Sequence, residues 1–303
     1  MVPRRSSVIA FAVTLVMIQL ANACNAGPMT GTVERHIAVG GVTRKYLVHA
    51  GGEAKPGRAL VLVLHGWRGG AADIERRTRG TFDRLADRDG AIVVYPSALG
   101  DPRWNDGWQR EAPAALPDDV GFLAALIDAV AREFAVDRGR VFATGISNGA
   151  GMVHRLACER PDLVAAIGPV AGGMPPDRAG TCARAPGPPV SIIAMHGTGD
   201  PIAPLDQSIR DGVAAWIKRD GCPDRPSSSQ LPDADPGDGT RTRADLFAPC
   251  AAGTAVAFYT IEGGGHAWPG GASTFGFRRK GITPRDFDAG VVLWDFFQSH
   301  PRR

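Results

Sequence analysis

The sequence predicts an α/β fold with a mostly parallel central sheet and helices on both faces. Three observations lead there. A continuous apolar run at Ala59–Leu64 and mostly apolar runs at Ala91–Tyr95, Val141–Thr144 and Val190–Met195 suit strands buried in a sheet. Segments with apolar residues at helical spacing lie between them. The two patterns alternate along the chain, as they do in a single α/β domain.

The elements follow in order. Residues 32–50 alternate polar and apolar (Val33, His36, Ala38; Tyr46, Val48) and predict an antiparallel hairpin at the sheet edge. Ala59–Leu64 is a buried strand running into His65-Gly66-Trp67-Arg68-Gly69-Gly70, and residues 71–88 read as helix. Ala91–Tyr95 is a strand ended by Pro96. Val120, Leu123, Ile127, Val130 and Phe134 share one face of a helix over 118–135. A strand over Val141–Thr144 leads through a glycine turn into a helix from Ala150 to Cys158. The strand from Val190 ends in a turn at Gly197-Thr198-Gly199-Asp200, and Leu205–Arg219 reads as mostly helix with Trp216 facing the core. Residues 224–240, rich in Pro, Ser, Asp and Gly, predict a loop; Phe258–Ile261 is a strand, and Asp286–Ser299 closes the chain as a helix. No repeat and no large lid insertion is apparent, so the site is expected in an open cleft without a cap domain.

The chain has 303 residues, 44% of them hydrophobic and 21% charged, enough for one large globular domain. Arg4 and Arg5 precede the apolar run Val8–Leu20, which Ala21-Asn22-Ala23 follows. This reads as a signal peptide over residues 1–23, with the domain over 24–303 and a secreted or periplasmic destination. The run is too short to span a bilayer as a helix. Cys24, directly after it, is also a candidate lipid anchor. Loss of Arg4 and Arg5 takes the formal charge from +3 to +1, which argues against nucleic acid as a partner. Arg278-Arg279-Lys280, the one basic cluster, reads as a solvated loop. No Cys-x-x-Cys, histidine cluster or phosphate-binding glycine loop is present, so neither a metal nor another cofactor is expected.

Gly145-Ile146-Ser147-Asn148-Gly149 carries the chemistry. It matches Gly-x-Ser-x-Gly between a strand and a helix, the setting of a nucleophile elbow. A serine hydroxyl is a weak nucleophile and needs a base. His266, after Gly263-Gly264-Gly265, is the candidate base, and Asp200 is the candidate to orient it. The order Ser147, Asp200, His266 is that of α/β-hydrolases. Each residue follows a strand expected to end at one sheet edge, where sites of such sheets form. The backbone N–H groups of Trp67 and Asn148 are the expected oxyanion donors. Trp104, Trp108 and Trp268 lie in loops at the same edge and are candidates for an apolar wall facing an ester. His36, His49 and His300 read as surface or satisfied histidines, His154 and His196 as packed ones. Cys158, Cys182, Cys222 and Cys250 allow three pairings. The expected one joins Cys158 to Cys182 and Cys222 to Cys250, because each pair brackets a loop-rich stretch.

With these residues in view, the chain resembles the secreted esterases grouped with poly(3-hydroxybutyrate) depolymerases and feruloyl esterases. The stretches that carry this are Leu64–Trp67, Tyr95-Pro96, Trp104-Asn105, Asp118–Phe122, Gly145–Met152, His196–Asp200 and Gly263–Gly271. The resemblance implies an α/β-hydrolase fold, the triad Ser147, Asp200 and His266, and the two cysteine pairs. It implies esters of hydroxyalkanoates or feruloyl and acetyl esters of plant-wall sugars as substrates. Ala150 departs from the family's usual glycine. Members that attack solid polyester carry a linker and a binding domain absent from this sequence, which argues against an insoluble polymer. Two other readings share the pattern: an acyltransferase, distinguished by product partition to an added alcohol, and a non-catalytic carbohydrate-binding protein, excluded if a fluorophosphonate labels Ser147.

Overall fold

A computed structural model describes residues 31–53, 56–100, 102–108, 116–272 and 281–302. The signal segment, Cys24 and the basic cluster at 278–280 lie outside them.

Among the described residues ten strands form one sheet: β1 (Thr32–Val39), β2 (Val42–Ala50), β3 (Arg58–Leu64), β4 (Ile92–Pro96), β5 (Val136–Ile146), β6 (Ala166–Val170), β7 (Ser191–Gly197), β8 (Ser227–Gln230), β9 (Arg241–Phe247) and β10 (Val256–Glu262). Their order is β1-β2-β4-β3-β5-β6-β7-β10-β9-β8. The six strands from β4 to β10 in that order are parallel. The β1–β2 hairpin and the β9–β8 pair flank them as antiparallel edges.

Among the described residues seven α-helices cover the sheet: α1 (Ala71–Arg77), α2 (Thr81–Asp89), α3 (Asp119–Glu133), α4 (Asn148–Glu159), α5 (Pro176–Cys182), α6 (Gln207–Arg219) and α7 (Ala289–Ser299). The apolar run of β3 shows why both faces are needed. Leu60, Leu62 and Leu64 join a core with Phe122, Leu126, Met152 and Trp216 from α3, α4 and α6. Val61 and Val63 point the other way, into a core with Ile74, Phe82, Leu293 and Trp294 from α1, α2 and α7. Residues on alternate sides of a strand thus fill two separate layers. Trp216 faces the core as its spacing predicts.

The structure departs from the sequence reading in several places, among them α5 and β9, which the reading does not contain. The helix expected over 71–88 is broken, because Arg79 and Gly80 adopt positive φ of 57° and 63°. The predicted loop at 224–240 contains β8, whose polar residues Ser227–Gln230 pair with β9 while staying exposed. β6 was not anticipated. It contains Gly168 and Pro169 yet sits mid-sheet, pairing with β7 only through Ala166, Ile167 and Val170. Both disulfides form as expected, Cys158–Cys182 and Cys222–Cys250. Among the described residues no helix is long and apolar enough to cross a membrane.

Candidate active site

β5 delivers Ser147 at its carboxyl end. Ser147 adopts φ 59° and ψ −119°, a strained conformation for a residue with a side chain. Its N–H donates to Val170 O at 2.9 Å, and α4 begins at the next residue. The flanking glycines are demanded by space. A Cβ on Gly149 would lie 2.6 Å from Leu64 O, and one on Gly145 2.8 Å from the Gly149 backbone. The turn is therefore clamped against the end of β3, and Gly66, two residues past that strand, also lies beside Ser147. A Cβ there would be 3.4 Å from that of Ser147.

β7 and β10 deliver the other two residues to the same edge. Asp200 Oδ2 accepts a hydrogen bond from His266 Nδ1 at 2.8 Å, and its Oδ1 accepts from the amides of Ile202 and Ala203 at 2.9 and 2.8 Å. Burial alone raises the Asp200 carboxyl, but the His266 bond and the two amides outweigh it and hold it below its ordinary value. The bond to Asp200 leaves His266 Nε2 as the nitrogen available for chemistry. The two loops are stitched together by Gly199 N–H donating to Gly264 O at 2.9 Å. His196 Nε2 donates to Ala203 O at 2.7 Å, and burial lowers its pKa, so it braces the Asp200 turn as a neutral ring.

His65 is held equally firmly. Its Nδ1 donates to Gly66 O at 2.7 Å, its Nε2 accepts from Ala98 N–H at 3.0 Å, and its carbonyl accepts from Trp104 Nε1 at 2.9 Å. Burial lowers its pKa, which suits the neutral tautomer those bonds require. These contacts fix the turn that carries the Trp67 amide. Asn148, at the first position of α4, has an amide with no carbonyl to bond within the helix.

Sequence reasoning missed the role of the Asn148 side chain. Its Oδ1 accepts from Trp104 N–H at 2.7 Å, and its Nδ2 donates to Trp104 O at 3.0 Å and to Asp106 Oδ2 at 2.6 Å. The loop over Trp104–Trp108 is thereby tied to the elbow.

The tryptophans need correction. Trp104 is 0% exposed, its ring stacked 6.5 Å from Phe122; Trp268 is 1% exposed, edge-on to Phe82 at 6.0 Å. Both are core residues and do not line the cleft. Trp108, 43% exposed, does line it, and so does Trp67, 54% exposed, predicted only for its amide. The Arg68 guanidinium lies 4.5 Å above the Trp67 ring. Their cleft of about 430 Å³ also contains Ser147, Arg103, Ile202 and Ile209. Among the described residues no group of three or more His, Cys, Asp or Glu could hold a metal.

Residues 45–210 match the family model described as esterase PHB depolymerase. The chain belongs to that family. A putative esterase, NocK, of Nocardia uniformis subsp. tsuyamanensis is 33% identical over 295 residues, covering 88% of this chain and 82% of that protein. A probable feruloyl esterase C of Aspergillus niger is 28% identical, with 79% and 77% covered. A poly(3-hydroxybutyrate) depolymerase of Ralstonia pickettii is 35% identical over 128 residues, 39% of this chain and 26% of that protein. The acetyl xylan esterase of Aspergillus awamori superposes with a TM-score of 0.64 at 16% identity, covering 88% of this chain and 99% of that one. The fold is thus that of the α/β-hydrolase esterases, and this chain of the esterase PHB depolymerase family is a carboxylic ester hydrolase.

Proposed function

We propose that this member of the family is an exported serine esterase working through an acyl-enzyme. The observation that carries the mechanism is the 2.8 Å bond from His266 Nδ1 to Asp200 Oδ2 at the sheet edge where Ser147 occupies its strained turn. Ser147 Oγ attacks the ester carbonyl while His266 Nε2 takes the hydroxyl proton. The Oγ–C bond forms, and the carbonyl oxygen becomes an oxyanion held by the amides of Trp67 and Asn148. Collapse breaks the bond to the alcohol oxygen, which receives the proton from His266. Water repeats the sequence and releases the acid. Asp200 keeps the imidazole in one tautomer and stabilises its charged form. The signal-like N-terminus supports export, and so do the two disulfides.

The substrate reading rests on the cleft wall. Indoles at Trp67 and Trp108 beside Ile202 and Ile209 suit a flat acyl group such as hydroxycinnamoyl, and a relative named as a feruloyl esterase agrees with that choice. The family model favours a second reading, hydroxyalkanoate esters. Methyl ferulate and a 3-hydroxybutyrate trimer, offered side by side to the protein and to Ser147→Ala, decide between them. Turnover that vanishes in the variant supports the serine mechanism, and the faster substrate names the class. Undiminished turnover by the variant rules out Ser147 as the nucleophile.

A further inference from the structure

Asp106 lies beside the proposed machinery without a place in it. It is 4% exposed, and burial raises its carboxyl pKa. A Cβ added to Gly151 would come within 2.8 Å of its Oδ2, so the carboxylate sits directly on the first turn of α4. That oxygen accepts from Asn148 Nδ2 at 2.6 Å, while Oδ1 accepts from Trp108 N–H at 3.2 Å. Trp108 in turn donates from its indole Nε1 to Gly173 O, at 3.3 Å across the cleft wall. One buried carboxylate therefore ties the residue after the nucleophile to the exposed indole lining the acyl side. We infer that Asp106 is a positioning residue that sets the preference for planar acyl groups by fixing Trp108 relative to the elbow. Positive charge from Arg103 and hydrogen bonds from Asn148 and Trp108 offset the cost of keeping a carboxylate there. The end of α4 it occupies also favours an anion.

This inference rests on the serine esterase reading above, and its test separates the two. Activity on methyl ferulate and on p-nitrophenyl acetate is measured for the wild type, Asp106→Ala, Trp108→Ala and the double variant. Losing the bond to Trp108 is expected to lower kcat/KM on methyl ferulate about tenfold more than on p-nitrophenyl acetate. In the Trp108→Ala background that excess disappears, because Asp106 then has no wall to hold. Equal losses on both esters in both backgrounds, or no loss, overturn the inference. Asp106→Asn keeps one acceptor and carries the same test if the alanine variant does not fold: a smaller shift in the same ratio supports it, and an unchanged ratio overturns it. Fluorophosphonate labelling of Ser147 runs alongside. An unlabelled wild type refutes the esterase reading, whereas a labelled wild type with an unchanged ratio refutes the role of Asp106 alone.

Discussion

His266 Nδ1 donates to Asp200 Oδ2 at 2.8 Å, and the other oxygen of that carboxylate is already committed to the amides of Ile202 and Ala203. The carboxylate is fixed before it meets the imidazole, so it selects one ring tautomer. Asp200→Asn presents the ring with a neutral amide and permits the wrong tautomer. A loss of about 10⁴ in kcat on p-nitrophenyl acetate is expected; a loss under tenfold would remove Asp200 from the mechanism. The folded carboxyl titrates below its unfolded value. Its stabilising contribution is therefore present above an ordinary carboxylate pKa of about 4 and lost as pH falls through the lower, folded value. Any advantage in Tm of wild type over Asp200→Asn should thus narrow in acid.

Strain at Ser147 makes a second prediction. Its φ of 59° and ψ of −119° are tolerable to glycine and costly to any other residue. Ser147→Ala removes the hydroxyl and keeps the strain, while Ser147→Gly relieves it. Both variants are expected to be inactive, with the glycine variant the more stable by about 1 kcal/mol after its greater unfolded-state entropy is counted. Urea denaturation of the two compares them directly. A glycine variant less stable than the alanine variant would mean that the turn stores no strain, since only the entropic cost of glycine would then remain.

These residues show what a sequence discloses and what it withholds. The candidates Ser147, Asp200 and His266 could be picked out because each follows an apolar strand and a glycine-bearing turn, a one-dimensional pattern. The cleft wall was not. Trp104 and Trp108 are four positions apart in one loop, yet one stacks on Phe122 in the core and the other faces the cleft. That difference comes from Asn148 and Asp106 pinning the loop, contacts between residues about 40 apart. β6 was hidden because Pro169 argues against a central strand; the sheet tolerates it where the β6–β7 pairing skips that position. β8 was hidden because its side chains are all polar and stay exposed, with no apolar alternation to mark a strand.

The two disulfides should differ in their consequences. Each closes a loop of similar size, with separations of 24 and 28 residues, so each is expected to contribute about 3 kcal/mol to stability in the chain-entropy model. Cys158 lies on α4, the helix that begins at the elbow, and Cys182 ends α5, which follows the cleft residues Gly172 and Gly173. Cys222 and Cys250 are not among the residues lining the cleft. Replacing Cys158 and Cys182 together by alanine should lower both the melting temperature and kcat/KM. The corresponding change at Cys222 and Cys250 should lower the melting temperature alone. Assays well below each variant's melting temperature separate these effects, and equal activity losses would show that neither bridge acts on the site.

His154 and Trp216 give the fold a built-in acid sensitivity. Trp216 Nε1 donates to His154 Nδ1 at 3.0 Å, both side chains lie in the core between α4 and α6, and burial pushes the His154 pKa down to about 3. The unfolded chain takes up that proton near pH 6.5, the folded chain only near 3. Stability is thus present in full above pH 6.5 and lost as pH falls between the two values, by up to about 1.4 kcal/mol per pH unit. His154→Gln keeps an acceptor for the indole and cannot titrate. At pH 7.5 it should be less stable than wild type by roughly 1–3 kcal/mol, through imperfect packing and a weaker bond. Between pH 6.5 and 4.5 that gap should shrink and then reverse, because only the wild type pays for keeping a histidine uncharged. Urea denaturation of both proteins at pH 7.5, 5.5 and 4.5 tests this, and parallel pH dependences would mean that His154 is protonated in the folded protein.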